Sequence, residues 1–189
     1  MAKVDKVSDA LKRAKRVTWK LRPEILLCSN IPRPMHGVAP REVLGPIWWN
    51  AARKAAYKST AYHCIACGVH KGSAAYRQQL DGHEVYEIDY LLGRMAYVEV
   101  VPLCYSCHNF IHSGRLQMLL DEGKITHERY ASIVQHGNRV LRNAGLTPSV
   151  LYAGPVADWK NWRLVVNGKE YKPKFRTMKA WLKYFGRKR

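Results

Sequence analysis

Two pairs of cysteines constrain the fold of this chain more than any other feature. Cys64 and Cys67 form one Cys-x-x-Cys pair, and Cys104 and Cys107 form the other. This spacing lets both thiolates of a pair reach one ion, and Zn²⁺ takes four such ligands in a tetrahedron. Gly68 follows the first pair directly, where a tight turn needs an unhindered backbone. The four cysteines therefore predict a structural zinc site that joins two distant parts of the chain.

The expected cellular compartment supports metal binding over disulfides. No apolar run approaches the roughly 18 residues of a membrane span, so no membrane partner is expected. The N-terminus lacks the apolar stretch of a secretory signal, which indicates a cytoplasmic protein. Disulfides are rare there, so five cysteines favour metal ligation or unpaired thiols. A redox role is disfavoured, because there are two such pairs and no thioredoxin-like surroundings.

The 36 residues between the two cysteine pairs predict a β-hairpin, and a helix is predicted to follow at the second pair. Residues 83–90 and 95–101 are rich in Val, Ile and Tyr and flank a glycine, as hairpin strands do. A helical pattern runs from Cys107 to Leu120 and is interrupted at Gly114. A zinc ion at the cysteines would tie that helix to the hairpin.

Helical periodicity, caps and turn residues predict the remaining elements. In the first 60 residues they indicate a basic amphipathic helix over 5–22, and a helix from Arg41 to Ser59 whose apolar face includes Ile47 and Trp48. Beyond the central region, Thr126 is expected to cap a helix that ends near Asn143. A hairpin is predicted from Trp162 to Tyr171 around Asn167-Gly168, with a short helix over 177–185.

Positive charge is concentrated at the two ends of the sequence. The chain has 32 Lys and Arg against 14 Asp and Glu, a net charge of +18. Residues 1–60 and residues 151–189 each carry +9, whereas the middle is nearly neutral. Two basic flanks suit the neutralisation of phosphates and predict a nucleic-acid partner. The candidate nucleic-acid-binding residues are Arg53, Lys54, Lys58, Lys179, Lys183, Arg187, Lys188 and Arg189.

Three histidines lie where a second metal site would form. His108 and His112 are four residues apart and share one face of the predicted helix. His83 lies on the hairpin, which the zinc site would bring against that face. Histidines converging from a hairpin and a helix are suited to a divalent ion with a base beside it.

These motifs resemble the HNH endonucleases, also called the ββα-metal or His-Me finger family, in the branch with two Cys-x-x-Cys pairs. Val-Pro-Leu-Cys-Tyr-Ser-Cys-His, ending at His108, is similar to the second half of the family motif. His-Glu-Val-Tyr-Glu-Ile-Asp, starting at His83, resembles a variant of phage and bacterial members. The resemblance covers residues 60–115, under a third of the chain.

The resemblance implies an α+β fold with a zinc-stabilised, treble-clef-like ββα-metal core at 61–120. It also implies hydrolysis of phosphodiester bonds in double-stranded DNA, within a bacterial or phage-infected cell. His83 would be the general base, with Glu84 beside it in the catalytic group, and His108 and His112 would bind a catalytic Mg²⁺, Mn²⁺ or Ni²⁺. Around this core, 1–60 forms a helical basic extension, 121–150 a helical segment and 151–189 a basic hairpin and helix.

Two positions depart from the family pattern and leave alternatives open. Gly82 stands where many members have a His or Asp ligand, and Glu99 stands at the usual asparagine. Glu84 or Asp89 would then hold the ion, or His83 would be a ligand and Glu84 the base, or the site would be inactive. The rival interpretation is a non-catalytic zinc-containing module that regulates or inhibits by binding nucleic acid or a protein. A ribosome- or RNA-associated protein would also explain the charge, but would leave the histidines unexplained.

Overall fold

The computed structural model describes residues 18–147 and 156–186 of the chain. Within them the fold is mixed α+β, with six α-helices and one four-stranded sheet, so the predicted class is confirmed. The helices are α1 (Pro40–Val43), α2 (Gly45–Ser59), α3 (Tyr105–Ile111), α4 (Ser113–Asp121), α5 (His127–Asn143) and α6 (Met178–Phe185). The strands are β1 (Leu80–Asp89), β2 (Arg94–Cys104), β3 (Arg163–Val166) and β4 (Lys169–Tyr171).

The sheet has the order β1-β2-β3-β4, and both predicted hairpins belong to it. β1 and β2 are antiparallel and pair from Leu80 with Cys104 to Asp89 with Arg94, so the hairpin is longer than predicted. β3 joins β2 in parallel and β4 returns antiparallel to β3. Asn167 and Gly168 have φ of 50° and 77°, as a type I′ turn requires. β1 is therefore an edge strand, next to which a site can form.

The helix after the second cysteine pair starts earlier and breaks earlier than predicted. It starts at Tyr105, directly after β2, and stops at His112, whose φ of −87° and ψ of 53° separate α3 from α4. His112 thus lies at the end of α3, four residues after His108. The predicted cap of α5 is confirmed, because the Thr126 side chain accepts a hydrogen bond from the Arg129 N–H at 3.2 Å.

The expectation of one helix from Arg41 to Ser59 is wrong. Gly45 has a φ of 83°, in the left-handed region that favours glycine, and it separates α1 from α2. Ile47 was expected on the apolar face, but it is 87% exposed. α2 instead packs on β1 and β2 through other side chains, which include Trp49 and Ala56.

The N-terminal region packs on the central region as far as it is described. Residues 5–17 of the predicted helix over 5–22 lie outside the described residues, and residues 18–22 are not helical. The Arg22 N–H donates to the Ile65 carbonyl at 2.8 Å, next to the first cysteine pair. Ile25 and Leu26, in the turn that follows, are buried in the same core cluster as the cysteines.

Three clusters of buried side chains make up the core of the described residues. The first surrounds Cys64, Cys104 and Cys107, the second centres on Trp162 and Met95, and the third joins α4 to α5. The cysteines thus lie inside the main apolar cluster. None of the helices within 18–147 and 156–186 combines the length and apolar character that a bilayer span requires.

Candidate metal centres

The four predicted zinc ligands lie together. One ligand atom from each of Cys64, Cys67, Cys104 and Cys107 lies within 4.8 Å of the others. The Sγ atoms of Cys67 and Cys104 are 3.7 Å apart, and Cys64 and Cys107 are fully buried. A closed group of four thiols from two Cys-x-x-Cys pairs is compatible with a structural zinc site.

Main-chain hydrogen bonds hold the first cysteine pair in a tight loop. The Gly68 N–H donates to the Cys64 carbonyl at 2.8 Å, and Gly68 has a φ of +77°, which few other residues adopt. The Ile65 N–H donates to the Pro102 carbonyl at 2.9 Å, which fixes the loop to β2. The backbone therefore places the first pair beside the second.

The electrostatics of the sulfur cluster favour the binding of a cation. Hydrogen bonds to the neighbouring sulfurs, first of all to Cys104, lower the pKa of the Cys64 thiol. The hydrogen bond to Cys104 raises the pKa of the Cys107 thiol, so the sulfurs do not all ionise together. Zn²⁺ binds thiolates and stabilises all four charges at once. The chemistry of the donor set therefore fits zinc.

A histidine that the sequence analysis left unassigned touches this cluster. The Nε2 of His136, on α5, lies 3.3 Å from the Sγ of Cys107. Histidine nitrogens in the shell around a metal orient its ligands and tune their basicity. No spacing in the sequence connects residue 136 to the cysteines, because the contact depends on how α5 packs on α3.

The three predicted histidines form a second cluster. One ligand atom from each of His83, His108 and His112 lies within 4.8 Å of the others, so the group could hold a metal ion. The ring centroids are 4.8 Å apart for His108 and His112, and 5.1 Å apart for His83 and His112. β1 supplies the first ring, while α3 and the bend at its end supply the other two.

The surroundings disfavour protonation of two of these imidazoles, those of His83 and His112. Burial, followed by the neighbouring histidines and Arg41, lowers the pKa of His83 to about 3. Burial, followed by His108, Arg115 and Arg41, lowers the pKa of His112 to about 4. A metal ligand must be an unprotonated imidazole, so the lowered pKa values of His83 and His112 favour ion binding.

Asp81 supports the helix side of this cluster. Its Oδ2 lies 3.4 Å from the Nδ1 of His108, and interaction with that imidazole lowers the pKa of the Asp81 carboxyl, against burial, which raises it. A carboxylate behind a histidine fixes which ring nitrogen faces a metal. Asp81 lies two residues before His83 on the same face of β1. Asp81 was not identified from the sequence, although the alternation of side chains along a strand indicates that it lies on the face of His83.

Glu84 lies beside the histidines as a buried carboxylate. It is 6% exposed, and its Oε2 forms an ion pair of 3.2 Å with Nη2 of Arg41. Its Oε1 is buried without a hydrogen-bond partner. Burial raises the pKa of the Glu84 carboxyl, and the charge of Arg41 opposes that shift. A buried acceptor with no partner is costly, so Oε1 is poised for a hydrogen-bond donor.

A cavity of about 80 Å³ joins the histidines to Glu84. Its lining also includes Arg41, Gly82 and Tyr86. Asp89, which was considered as a metal ligand, lies elsewhere: its Oδ1 accepts a hydrogen bond from the Leu92 N–H at 2.9 Å in the hairpin turn. That expectation for Asp89 is therefore wrong.

The two positions that depart from the family pattern have structural partners here. A Cβ on Gly82 would lie 3.0 Å from Cη2 of Trp49 and 3.2 Å from Cβ of Arg53, so α2 fills the space of a side chain at that position. Glu99 accepts a hydrogen bond of 2.6 Å from Nη1 of Arg22. Neither position contributes to the histidine cluster.

The predicted nucleic-acid-binding residues lie in two places. Lys54 and Lys58 are exposed on α2, while the guanidinium of Arg53 is held by Oδ1 of Asn50 through hydrogen bonds of 3.0 and 2.8 Å. Lys179 and Lys183 are exposed on α6. Arg187, Lys188 and Arg189 lie outside the described residues.

Comparison with known proteins identifies no relative. No protein-family model, curated protein or solved structure matches the chain.

Proposed function

We propose that this chain is a metal-dependent HNH-type endonuclease that hydrolyses phosphodiester bonds in DNA on a zinc-clamped ββα-metal core. The convergence of His83, His108 and His112 carries the proposal, because three imidazoles beside a buried carboxylate make an open metal site with a base. A divalent ion such as Mg²⁺, Mn²⁺ or Ni²⁺ there would stabilise the charge that develops on the phosphate.

The geometry supports the arrangement in which His83 is a ligand and Glu84 is the general base. His83 contributes to the same cluster as the two helix histidines, whereas Glu84 lines the same cavity and has one buried oxygen with no hydrogen-bond partner. Nδ1 of His108 is buried without a hydrogen-bond partner and lies 3.4 Å from Oδ2 of Asp81, so a hydrogen bond that closes this distance when an ion binds would leave Nε2 for the ion.

Hydrolysis then needs one proton transfer from a water and one displacement. Oε1 of Glu84 would take the proton from the water, whose oxygen forms a bond to phosphorus. The bond from phosphorus to the leaving sugar oxygen breaks, and that oxygen takes a proton from solvent water. Arg41 is paired with Glu84, and its side chain is about half exposed, so it could also contact the phosphate.

The charges around the cavity support an anionic substrate. Arg41 lines it, Arg53 lies behind Gly82, and Arg77 and Arg115 are close enough to lower the pKa of Asp81. Arginines attract phosphate from solution and bind it through paired hydrogen bonds. These arginines offset the negative charges of Asp81 and Glu84, which would otherwise repel DNA.

A plasmid-nicking assay tests the proposal. Wild-type chain is expected to nick supercoiled DNA with added Mg²⁺, Mn²⁺ or Ni²⁺ and not without an added ion. The ion is omitted rather than chelated, because a chelator would also remove zinc from the cysteines. His112→Ala should lose nicking, while His127→Ala, an exposed histidine at the start of α5, should retain it. Equal nicking by both variants would contradict the proposal.

The second candidate is a non-catalytic zinc-containing regulator or inhibitor that binds nucleic acid or a protein. Gly82 and Glu99 favour it, because the first is covered by Trp49 and the second is paired with Arg22. Metal analysis separates the candidates. One zinc per chain, with no nicking under any ion, would support the regulator, whereas a second, exchangeable ion that His112→Ala abolishes would support the endonuclease.

A further inference from the structure

A groove of about 610 Å³ begins at the histidine cluster and leads away from the cavity. His112 lines both the groove and the cavity, so the two adjoin. Arg33 and Arg115 lie among its lining residues, together with Asn30 and Ser113. A volume of several hundred Å³ is within the range of ligand-binding clefts. The groove is therefore large enough for part of a polymer that has one phosphate at the histidines.

The charge of the groove is positive. Among the described residues, none of those that line it is acidic, while Arg33 and Arg115 are both exposed arginines. Nη1 of Arg115 donates to the buried Oδ1 of Asn109 at 3.1 Å, which anchors that side chain at the groove. An anchored arginine loses less freedom when it binds a phosphate, so its contact is stronger than that of a mobile lysine.

The other arginine connects the groove to the basic helix α6. The guanidinium of Arg33 lies over the Trp181 ring at 5.5 Å. Nε1–H of Trp181 donates to Nδ1 of His36 at 3.2 Å, and Nε2 of His36 lies 3.1 Å from the Ile31 carbonyl. His36, which also lines the groove, is thereby held between the segment before α1 and α6. The far end of the groove thus meets the helix that carries Lys179 and Lys183.

We infer that this groove binds the backbone of one DNA strand next to the scissile phosphate, with Arg33 and Arg115 as phosphate contacts. The inference rests on the proposed endonuclease function and deepens it. The strand would run from the histidine cluster past Arg115 and Arg33 toward α6. Because the contacts are to phosphates, the groove adds affinity and orientation without reading base sequence.

Salt-dependent binding of a fluorescein-labelled DNA duplex tests the groove by anisotropy, without added divalent ion. The double variant Arg33→Gln/Arg115→Gln retains polar side chains of similar length but removes both charges. It should bind about tenfold more weakly for each arginine, since hydrogen bonds to charged groups contribute on that order. The slope of log K against log salt should become shallower by about 0.9 for each lost phosphate contact.

Two further variants separate phosphate binding from loss of charge or of structure. Arg139→Gln/Arg142→Gln removes the same charge from exposed positions on α5, outside the groove lining, and should change the slope much less. Arg33→Lys/Arg115→Lys restores the charge and should restore the slope, which a purely structural defect would not allow.

The groove and the endonuclease function fail in different ways. A slope for the groove variant equal to that of the α5 variant would overturn the groove, even if the chain nicks DNA. A wild-type chain that shows no salt-dependent binding would overturn it too. Absence of nicking by the wild-type chain with Mg²⁺, Mn²⁺ and Ni²⁺ alike would overturn the endonuclease proposal, while the shallower slope of the groove variant would still support a DNA-binding groove.

Discussion

The cysteine cluster is largely closed to solvent, whereas the histidine cluster opens onto a cavity. The four thiols are mostly buried in the main apolar cluster, and their partners are one another, the backbone and His136. The three imidazoles line a cavity that adjoins a groove, beside a carboxylate with one unpaired oxygen. A closed site suits a structural ion, and a site with an open position suits a substrate.

The histidine cluster depends on the cysteine cluster through one short helix. Cys104 ends β2, Cys107 is in the first turn of α3, and His108 follows it directly. An ion held by the cysteines would therefore fix the direction of α3, and with it the imidazoles of His108 and His112. We expect substitutions in the cysteine cluster to abolish both metal sites. Substitutions in the histidine cluster should leave the fold intact.

Cys104→Ser should have the largest effect, because structural zinc contributes folding free energy directly, about 10 kcal/mol or more in small zinc domains. We expect the variant to lose both bound zinc and the cooperative thermal transition. Metal analysis measures the first and circular dichroism the second. His108→Ala, on the neighbouring helix turn, is the matched control and should retain both zinc and the transition. If Cys104→Ser unfolds at the wild-type temperature, the cysteines are not a structural zinc site.

Glu84→Gln should lower the nicking rate by about 10²–10⁴-fold, which is the usual contribution of a general base, and leave binding of the second ion unchanged. His83→Ala should instead weaken binding of that ion, measured by titration calorimetry with Mn²⁺. The pair tests which of the two residues is the base. If His83→Ala binds the ion normally and Glu84→Gln still nicks, His83 is the base and Glu84 is not.

Much of the histidine cluster was predictable because its members are linked by local rules. Four residues separate His108 and His112, so any helix brings them to one face, and the hairpin and cysteine spacing place His83 near that face. Asp81 follows from strand alternation once His83 is assigned to the cluster. The β1–β2 hairpin and the Asn167-Gly168 turn were predictable for the same reason, because local sequence patterns determine them.

The contributions of Arg41, Trp49 and His136 were not predictable, because they depend on how distant elements pack. Arg41 reaches Glu84 only because Gly45 breaks the expected long helix and redirects the chain. Trp49 covers Gly82 because α2 lies against β1, and His136 reaches Cys107 because α5 lies against α3. The periodicity of a single segment does not determine how that segment is oriented against distant helices and strands.

Of the substitutions that test the two clusters, Gly82→Ala should have the smallest effect, and its effect on ion binding should be specific to the histidine cluster. Its Cβ would meet Trp49 at 3.0 Å and Arg53 at 3.2 Å, so α2 must shift, at a cost of about 1–3 kcal/mol in the free energy of unfolding. Gly114→Ala is the matched control: nothing lies within 4 Å of its Cβ, and alanine in α4 should stabilise by about 0.5–1 kcal/mol. Urea unfolding measures both. Because Gly82 lines the histidine cavity and Trp49 of α2 lies directly against it, Gly82→Ala should also weaken binding of the second ion without releasing zinc. Release of zinc, or equal stability of the two variants, would show that the effect of a side chain at position 82 is not confined to the histidine cavity.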